Sequence, residues 1–170
     1  MKYILYRIVR TLGYPIFLLL YRPEFEGRNN IPKSGSVILA GNHTNNLDAA
    51  IMLAGPTRVV HMLAKKELFK SKISNAFFRS MGCIPVDRKI HDENAKSEAI
   101  EVLKNNEVIG IFPEGTVNRT NDIILPFKYG AVSFAKKTGA YILPFTITGK
   151  YKLFRRSIKI TYGKPYKVTD

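Results

Sequence analysis

One cysteine and three histidines in 170 residues leave little room for several common chemistries. The single Cys83 excludes an internal disulfide and agrees with a reducing compartment. Three histidines without clustered cysteines do not make the spacing of a structural zinc site. Acidic residues are scarce as well: 13 Asp and Glu stand against 27 Lys and Arg, a net charge of +14. That imbalance determines no fold, but it favours an anionic partner such as nucleic acid, anionic lipid or an acidic protein. The basic residues are spread along the whole chain, with no arginine-rich tail, no zinc-finger spacing and no recognisable nucleic-acid motif. Nucleic acid is therefore set aside as a partner. Internal repeats, low-complexity tracts and a Gly/Ser linker are missing too, which leaves one domain large enough to bury a real core.

A long uninterrupted apolar run is also lacking. Leu5, Ile8, Val9 and Leu12 recur at helical spacing and share one face, with Lys2, Arg7 and Arg10 on the other side and Tyr3 and Tyr6 close to them. Gly13-Tyr14-Pro15 then breaks the pattern before the all-apolar Ile16–Tyr21. A spanning helix needs about 20 mostly apolar residues, and this break plus two arginines argue against one. Tyr21-Arg22-Pro23-Glu24 is a poor cleavage site for a secretory signal. Two readings are left: a helix packed on the domain's own core, and a helix lying in a membrane interface with tyrosines and arginines at headgroup level. We expect the second. It makes residues 1–27 a monotopic membrane-interface segment and residues 28–170 the domain that carries the chemistry. The turn-rich Arg28–Gly35 is expected to separate the two.

Beyond that turn, apolar runs and helical patterns alternate. Strands are expected at Ser36–Ala40, Arg58–Ala64, Cys83–Val86, Val108–Phe112, Tyr141–Thr148 and Ser157–Tyr162, and helices at Asp48–Ala54, Ser74–Met81, Asp92–Lys104 and Ala131–Thr138. This order predicts an α/β fold, a mixed and largely parallel sheet covered by helices. In such sheets the loops after the strands carry the site, and His43, Arg88 and Glu114 each follow an apolar strand.

His43 and Asp48 are separated by four residues. They are either unrelated surface residues or a general base and the carboxylate that orients it, if Asp48 sits in the first turn of the helix after the loop. Asn42, Asn45 and Asn46 suit a loop fixed by side-chain to backbone hydrogen bonds. Glu114 either hydrogen-bonds substrate hydroxyls or holds a loop, and Gly115 allows close backbone approach. Arg88 carries a guanidinium fork that fits a phosphate monoester, and Lys128, just before a helix N-terminus, is a second candidate for the same anion. Each is equally at home as a solvated surface cation. Cys83, in an apolar run, reads as a buried structural thiol, and His61 and His91 have no partner pattern.

Four ordered blocks then stand out: Asn42-His43 with Asp48; Gly82-Cys83-Ile84-Pro85-Val86-Asp87-Arg88; Phe112-Pro113-Glu114-Gly115-Thr116; and Ile142-Leu143-Pro144-Phe145. From about Pro32 to Pro165 the chain resembles the glycerolipid acyltransferases, the lysophosphatidic acid acyltransferase superfamily. The resemblance implies transfer of a fatty acyl group from acyl-CoA or acyl-carrier protein to a lysophospholipid hydroxyl, with His43 as base and Asp48 as its partner. It implies Arg88 on the acceptor phosphate, and Glu114, Gly115 and Thr116 along the acceptor site. It implies attack on the thioester without an acyl-enzyme, no metal and no cofactor, at an anionic membrane surface on the cytoplasmic face. The third block departs from the family's usual pattern, because Val117 stands where an arginine commonly follows the threonine, and Arg119 comes two later. A different acceptor, glycerol 3-phosphate or a lyso-aminolipid, and a non-catalytic membrane-surface protein are therefore kept as alternatives. Thr169-Asp170 would suit the start of a further helix.

Overall fold

A computed structural model of the chain describes residues 3–169; Lys2 and Asp170, both invoked above, lie outside them. Among the described residues the strands are β1 (Glu24–Glu26), β2 (Val37–Gly41), β3 (Val60–Lys65), β4 (Ile84–Val86), β5 (Val108–Ile111), β6 (Tyr141–Gly149) and β7 (Ile158–Tyr162). The α-helices are α1 (Ile4–Tyr21), α2 (Asp48–Ala54), α3 (Lys72–Ser80), α4 (Glu93–Lys104) and α5 (Gly130–Thr138). The strands form one sheet in the order β1-β7-β6-β2-β5-β3-β4. Only β6 and β7 pair antiparallel; every other neighbouring pair is parallel. The expected mixed, largely parallel α/β sheet is the observed one.

Alternation along the strands divides the core between two faces. Val37, Leu39, Val108, Leu143, Phe145 and Ile147 join Ile51 and Met52 of α2 on one side, with Phe17 of α1 packed against them. Ile38, Ile109 and Ile142 meet Ala95, Ala99, Val102 and Leu103 of α4 and Ala131, Phe134 and Ala135 of α5 on the other. Crossover helices on both faces bury the parallel strands, which is why those strands read as continuous apolar runs. At the end of β2 a side chain on Gly41 would collide with the Phe145 ring, so glycine is the residue that lets this ring close the strand.

The sequence expectation of a break at Gly13-Tyr14-Pro15 is corrected. Helix α1 is continuous over 18 residues with Pro15 inside it. Pro15 and Thr11, whose carbonyl loses its partner, are both exposed, so that carbonyl is not buried within the protein. The faces also differ from expectation. Tyr6, placed on the polar side by spacing, is buried, and its hydroxyl takes the Val60 N–H at 3.2 Å and donates to the Arg58 carbonyl at 3.3 Å. Arg10 donates to the Thr57 carbonyl at 2.6 Å. A row of Ile4, Ile8, Leu12, Ile16 and Leu19 is left exposed. By length and composition α1 is long and apolar enough to cross a membrane.

Residues 22–35 are tied to the sheet. Phe25 lies in β1, which extends the edge beside β7, and a short 3-10 turn follows at Arg28–Asn30. Arg28 donates to the carbonyls of Ala54 and Gly55, and Asn30 to that of Tyr162. The Glu-Phe-Glu of β1 has one apolar residue, too little alternation to announce a strand.

Helix α4 begins as expected. Asp92 caps it, one oxygen accepting from the Ala95 N–H at 3.0 Å and the other from the Asp87 N–H at 2.8 Å. These amides, Asp87's first and then Ala95's, hold the Asp92 carboxyl below its ordinary range. A depressed carboxyl stabilises the fold fully above its unfolded pKa of about 3.9 and loses that contribution as pH falls through the folded value. Asp92→Ala is therefore expected to cost about 1 kcal/mol at pH 7 in urea unfolding, and the gap to wild type should shrink below pH ~4.

Candidate active site

The parallel strands end at one edge of the sheet, and the loops leaving β2, β4 and β5 bring the expected residues to it. The β2–α2 loop turns on Asp48. This residue opens α2 and is fully buried. Its Oδ2 accepts from the Thr44 and Asn45 N–H groups, each at 2.7 Å, and lies 3.1 Å from Nδ1 of His43. Its Oδ1 accepts from the Tyr151 hydroxyl at 2.6 Å. A carboxylate out of water is tolerated only when its oxygens are hydrogen-bonded, as these are. The short His-x4-Asp spacing becomes a contact because the loop folds back over the start of the helix, and the buried carboxylate fixes the Nδ1–H tautomer of the imidazole.

The imidazole is also held flat. Its ring stacks on Phe112 with centroids 3.9 Å apart and planes 9° from parallel. The backbone on either side of the ring is clamped: the His43 N–H donates to Glu114 Oε1 at 2.7 Å, and the His43 carbonyl accepts from the Asn118 N–H at 2.7 Å. Asn42 pairs side chain to backbone with Ile147, donating at 2.9 Å and accepting at 2.7 Å, and Asn45 takes the Leu47 N–H at 3.0 Å.

Glu114 is buried, and its second oxygen accepts from the Leu125 N–H at 3.0 Å. Of the two readings its sequence allowed, the loop-holding one describes these bonds: one carboxylate ties the His43 loop to the 117–129 loop. Gly115 has a left-handed backbone with φ of 71°, and an added Cβ would touch the Lys128 side chain at 3.0 Å. Glycine here lets the turn close at the position where Lys128 crosses it.

His43, Arg88, Gly115 and Lys128 line one cavity of about 440 Å3, together with the apolar Leu63, Val86, Ile90, Ile111 and Phe134. Arg88 and Lys128 extend side chains with no partner among the described residues. Lys128 stands two residues before α5, whose first-turn amides favour an anion nearby. Asp48 and Glu114 lie behind this wall. Thr116 and Arg119 are exposed and outside the cavity lining. Ile142, Leu143 and Phe145 of the fourth block are buried in β6 and build the core. Among the described residues no group of three His, Cys, Asp or Glu could hold a metal ion.

Two site residues had no weight in the sequence. Phe112 directly precedes Pro113-Glu114, and its position one past β5 is the available signal. Tyr151 gave none, being 103 residues from the carboxylate it touches. Burial, and next the Asp48 carboxylate, raise the Tyr151 hydroxyl far above its ordinary range, so it stays a donor at any working pH.

The geometry defines an α/β protein with a carboxylate-oriented histidine beside an apolar, cation-bearing cavity. Residues 22–148 match the family described as Acyltransferase, and the chain belongs to that family. It is 37% identical over 139 residues to a 1-acyl-sn-glycerol-3-phosphate acyltransferase of Borreliella burgdorferi, a match covering 81% of this chain and 55% of the relative. A Bacillus subtilis protein of the same name is 32% identical over 149 residues, covering 84% of this chain and 73% of the relative. The crystal structure of the 1-acyl-sn-glycerophosphate (LPA) acyltransferase PlsC from Thermotoga maritima shares the fold, with a TM-score of 0.76 and 27% identity over 95% of this chain and 68% of that one.

Cys83 sits apart from the cavity, 3% exposed, and burial pushes its thiol up to about 11. It should resist a disulfide-exchange reagent at pH 8 until urea unfolds the protein. Glu114→Ala leaves two part-buried N–H groups without their acceptor and is expected to cost about 1–2 kcal/mol in urea unfolding, with Glu114→Gln milder because it keeps one acceptor.

Proposed function

We propose that this protein moves a fatty acyl group from an acyl thioester, acyl-CoA or acyl-carrier protein, to the sn-2 hydroxyl of 1-acylglycerol 3-phosphate, giving phosphatidate. The observation that carries this reading is the 3.1 Å contact of His43 Nδ1 with buried Asp48, on the wall of a cavity that Arg88 and Lys128 also line. The names of the similar proteins support it.

With Nδ1–H turned to Asp48, Nε2 offers its lone pair to the acceptor hydroxyl. As that oxygen bonds to the thioester carbonyl carbon, its proton passes to Nε2, and Asp48 stabilises the imidazolium. Collapse of the tetrahedral adduct breaks the C–S bond, and the departing sulfur takes the proton back from Nε2. No acyl-enzyme is needed, and the buried Cys83 thiol is unsuited to form one. Arg88 and Lys128 hold the acceptor phosphate, the first by its guanidinium fork. Gly115 opens the acceptor side, Thr116 flanks it, and Glu114 acts through the loops it joins. The apolar lining receives the acyl chain. The thioester is a co-substrate, and no cofactor takes part.

The exposed aliphatic row of α1 points away from the face that Tyr6 and Arg10 anchor, so Ile4–Tyr21 has an apolar surface to give to lipid. We place the protein as a monotopic one on the cytoplasmic face of the cell membrane, where a net +14 is drawn to anionic headgroups. One observation keeps a second acceptor open: Val117 follows Thr116 where related chains commonly carry arginine. Glycerol 3-phosphate or a lyso-aminolipid would then be the substrate of the same chemistry.

An acceptor panel assayed with both donors separates these readings; absence of transfer to every acceptor would leave only a binding role. His43→Ala is expected to lower kcat by about 10²- to 10⁴-fold while the protein still folds, and wild-type turnover in that variant would remove the base assignment. Arg88→Gln should raise the acceptor KM about tenfold and leave the donor KM unchanged. For the membrane, Ile8→Asp with Leu12→Asp should release the protein from vesicles containing anionic lipid, and retained binding at equal salt would place the contact elsewhere.

A further inference from the structure

Asp48 distributes its bonds unevenly. Oδ2 meets three donors, the Thr44 and Asn45 amides and His43 Nδ1, all within its own loop. Oδ1 meets one, the Tyr151 hydroxyl, which comes from across the sheet in the connection after β6. Those three donors hold Oδ2 in place, and the Tyr151 hydroxyl at 2.6 Å is the one donor on Oδ1 among the described residues, so it holds the other end of the carboxylate plane that faces the imidazole.

Tyr151 is itself supported by α1. Its ring meets Tyr21, the last residue of that helix, edge to face with centroids 5.7 Å apart, and Tyr21 packs on Phe17 at 5.2 Å. A second tie runs alongside, the Phe154 N–H donating to the Leu20 carbonyl. The C-terminal end of α1 and the β6–β7 connection are thus bound side chain to side chain and backbone to backbone. From Tyr21 a continuous path of contacts leads through Tyr151 and Asp48 to His43.

We infer that Tyr151 is a positioning residue for the His43–Asp48 pair and that Tyr21 holds it in place, so that the seating of α1 and the alignment of the histidine are linked. This rests on the proposed role of His43 as base. Tyr151 touches neither the cavity nor a reacting atom; it acts through Asp48. The link gives the exposed aliphatic row of the same helix a second use, because a helix settled on a bilayer also steadies the hydroxyl that orients the carboxylate. Burial keeps that hydroxyl protonated, so the donor is present at every pH at which the protein is folded.

The test compares wild type with Tyr151→Phe, which keeps the ring against Tyr21 and removes only the O–H, and with Tyr21→Leu. Two readouts are taken on the full chain: steady-state kinetics with acceptor in anionic vesicles, and the ¹⁵N-edited signal of the His43 Nδ1–H, assigned by its loss in His43→Ala. Tyr151→Phe should lower kcat about tenfold, leave both KM values within about twofold, and move the His43 signal. Tyr21→Leu should lower kcat by a smaller factor, and the double variant should be no slower than Tyr151→Phe alone, because both act on one path. An unmoved His43 signal in Tyr151→Phe overturns the positioning role, whatever happens to kcat. A moved signal with unchanged kcat overturns its catalytic consequence. Additive losses in the double variant overturn the link through Tyr21. If wild type transfers no acyl group at all, the function fails, and the His43 signal in the two tyrosine variants still decides the positioning role.

Discussion

A carboxylate with no access to water organises the active end of this protein. Burying a carboxylate is costly unless its oxygens are hydrogen-bonded, and the fold answers Asp48 with two backbone amides, one imidazole and one phenol, each aimed at a particular oxygen. Each donor is also a constraint. The two amides fix the Thr44-Asn45 turn, the imidazole takes its tautomer from the contact, and the phenol draws in the connection beyond β6. Satisfying one buried charge therefore determines the shape of the loop, the chemistry of His43 and the approach of a segment more than 100 residues away.

Glu114 repeats the device for a different end. It too is buried, and it too is answered by backbone amides, those of His43 and Leu125. Each of its oxygens accepts from a backbone amide, so it joins the His43 loop to the 117–129 loop. Both carboxylates stand just past parallel strands. A parallel sheet gathers the ends of β2, β4 and β5 at one edge, and loops that meet there need internal bonds because crossover helices occupy both faces.

Helix α1 joins this arrangement to the surface. Tyr6 and Arg10 bind the domain and Leu5, Val9 and Phe17 pack against it, while Ile4, Ile8, Leu12, Ile16 and Leu19 face outward. Large exposed aliphatics along a whole helix carry a solvent penalty of about 25 cal/mol per Å2, and lipid contact removes it. The Phe17, Tyr21 and Tyr151 rings place the end of that helix one side chain from the buried Asp48 carboxylate.

Much of the fold was legible because its signals are local. Apolar runs followed by helical patterns recover six of the seven strands and the helices α2 to α5, and the order of those elements implies a parallel sheet. Four short blocks named the family, and His43, Asp48, Arg88, Glu114 and Lys128 all come to the same sheet edge. What local signals could not carry were the features made by distant segments. The three residues of β1 become a strand only because β7 lies beside them. Pro15 reads as a break because its missing hydrogen bond is visible in sequence, whereas the packing of Tyr6 and Phe17 along the continuous α1 is not. The inward face of α1 was misassigned for the same reason: periodicity finds the apolar side, and only tertiary contact decides which side the domain takes. The sequence alone determined which groups could do acid–base chemistry and bind phosphate, since these are properties of side chains. The tertiary structure decided that Glu114 holds loops and that Tyr151 holds Asp48, since burial and partner choice exist only once segments far apart in the chain have met.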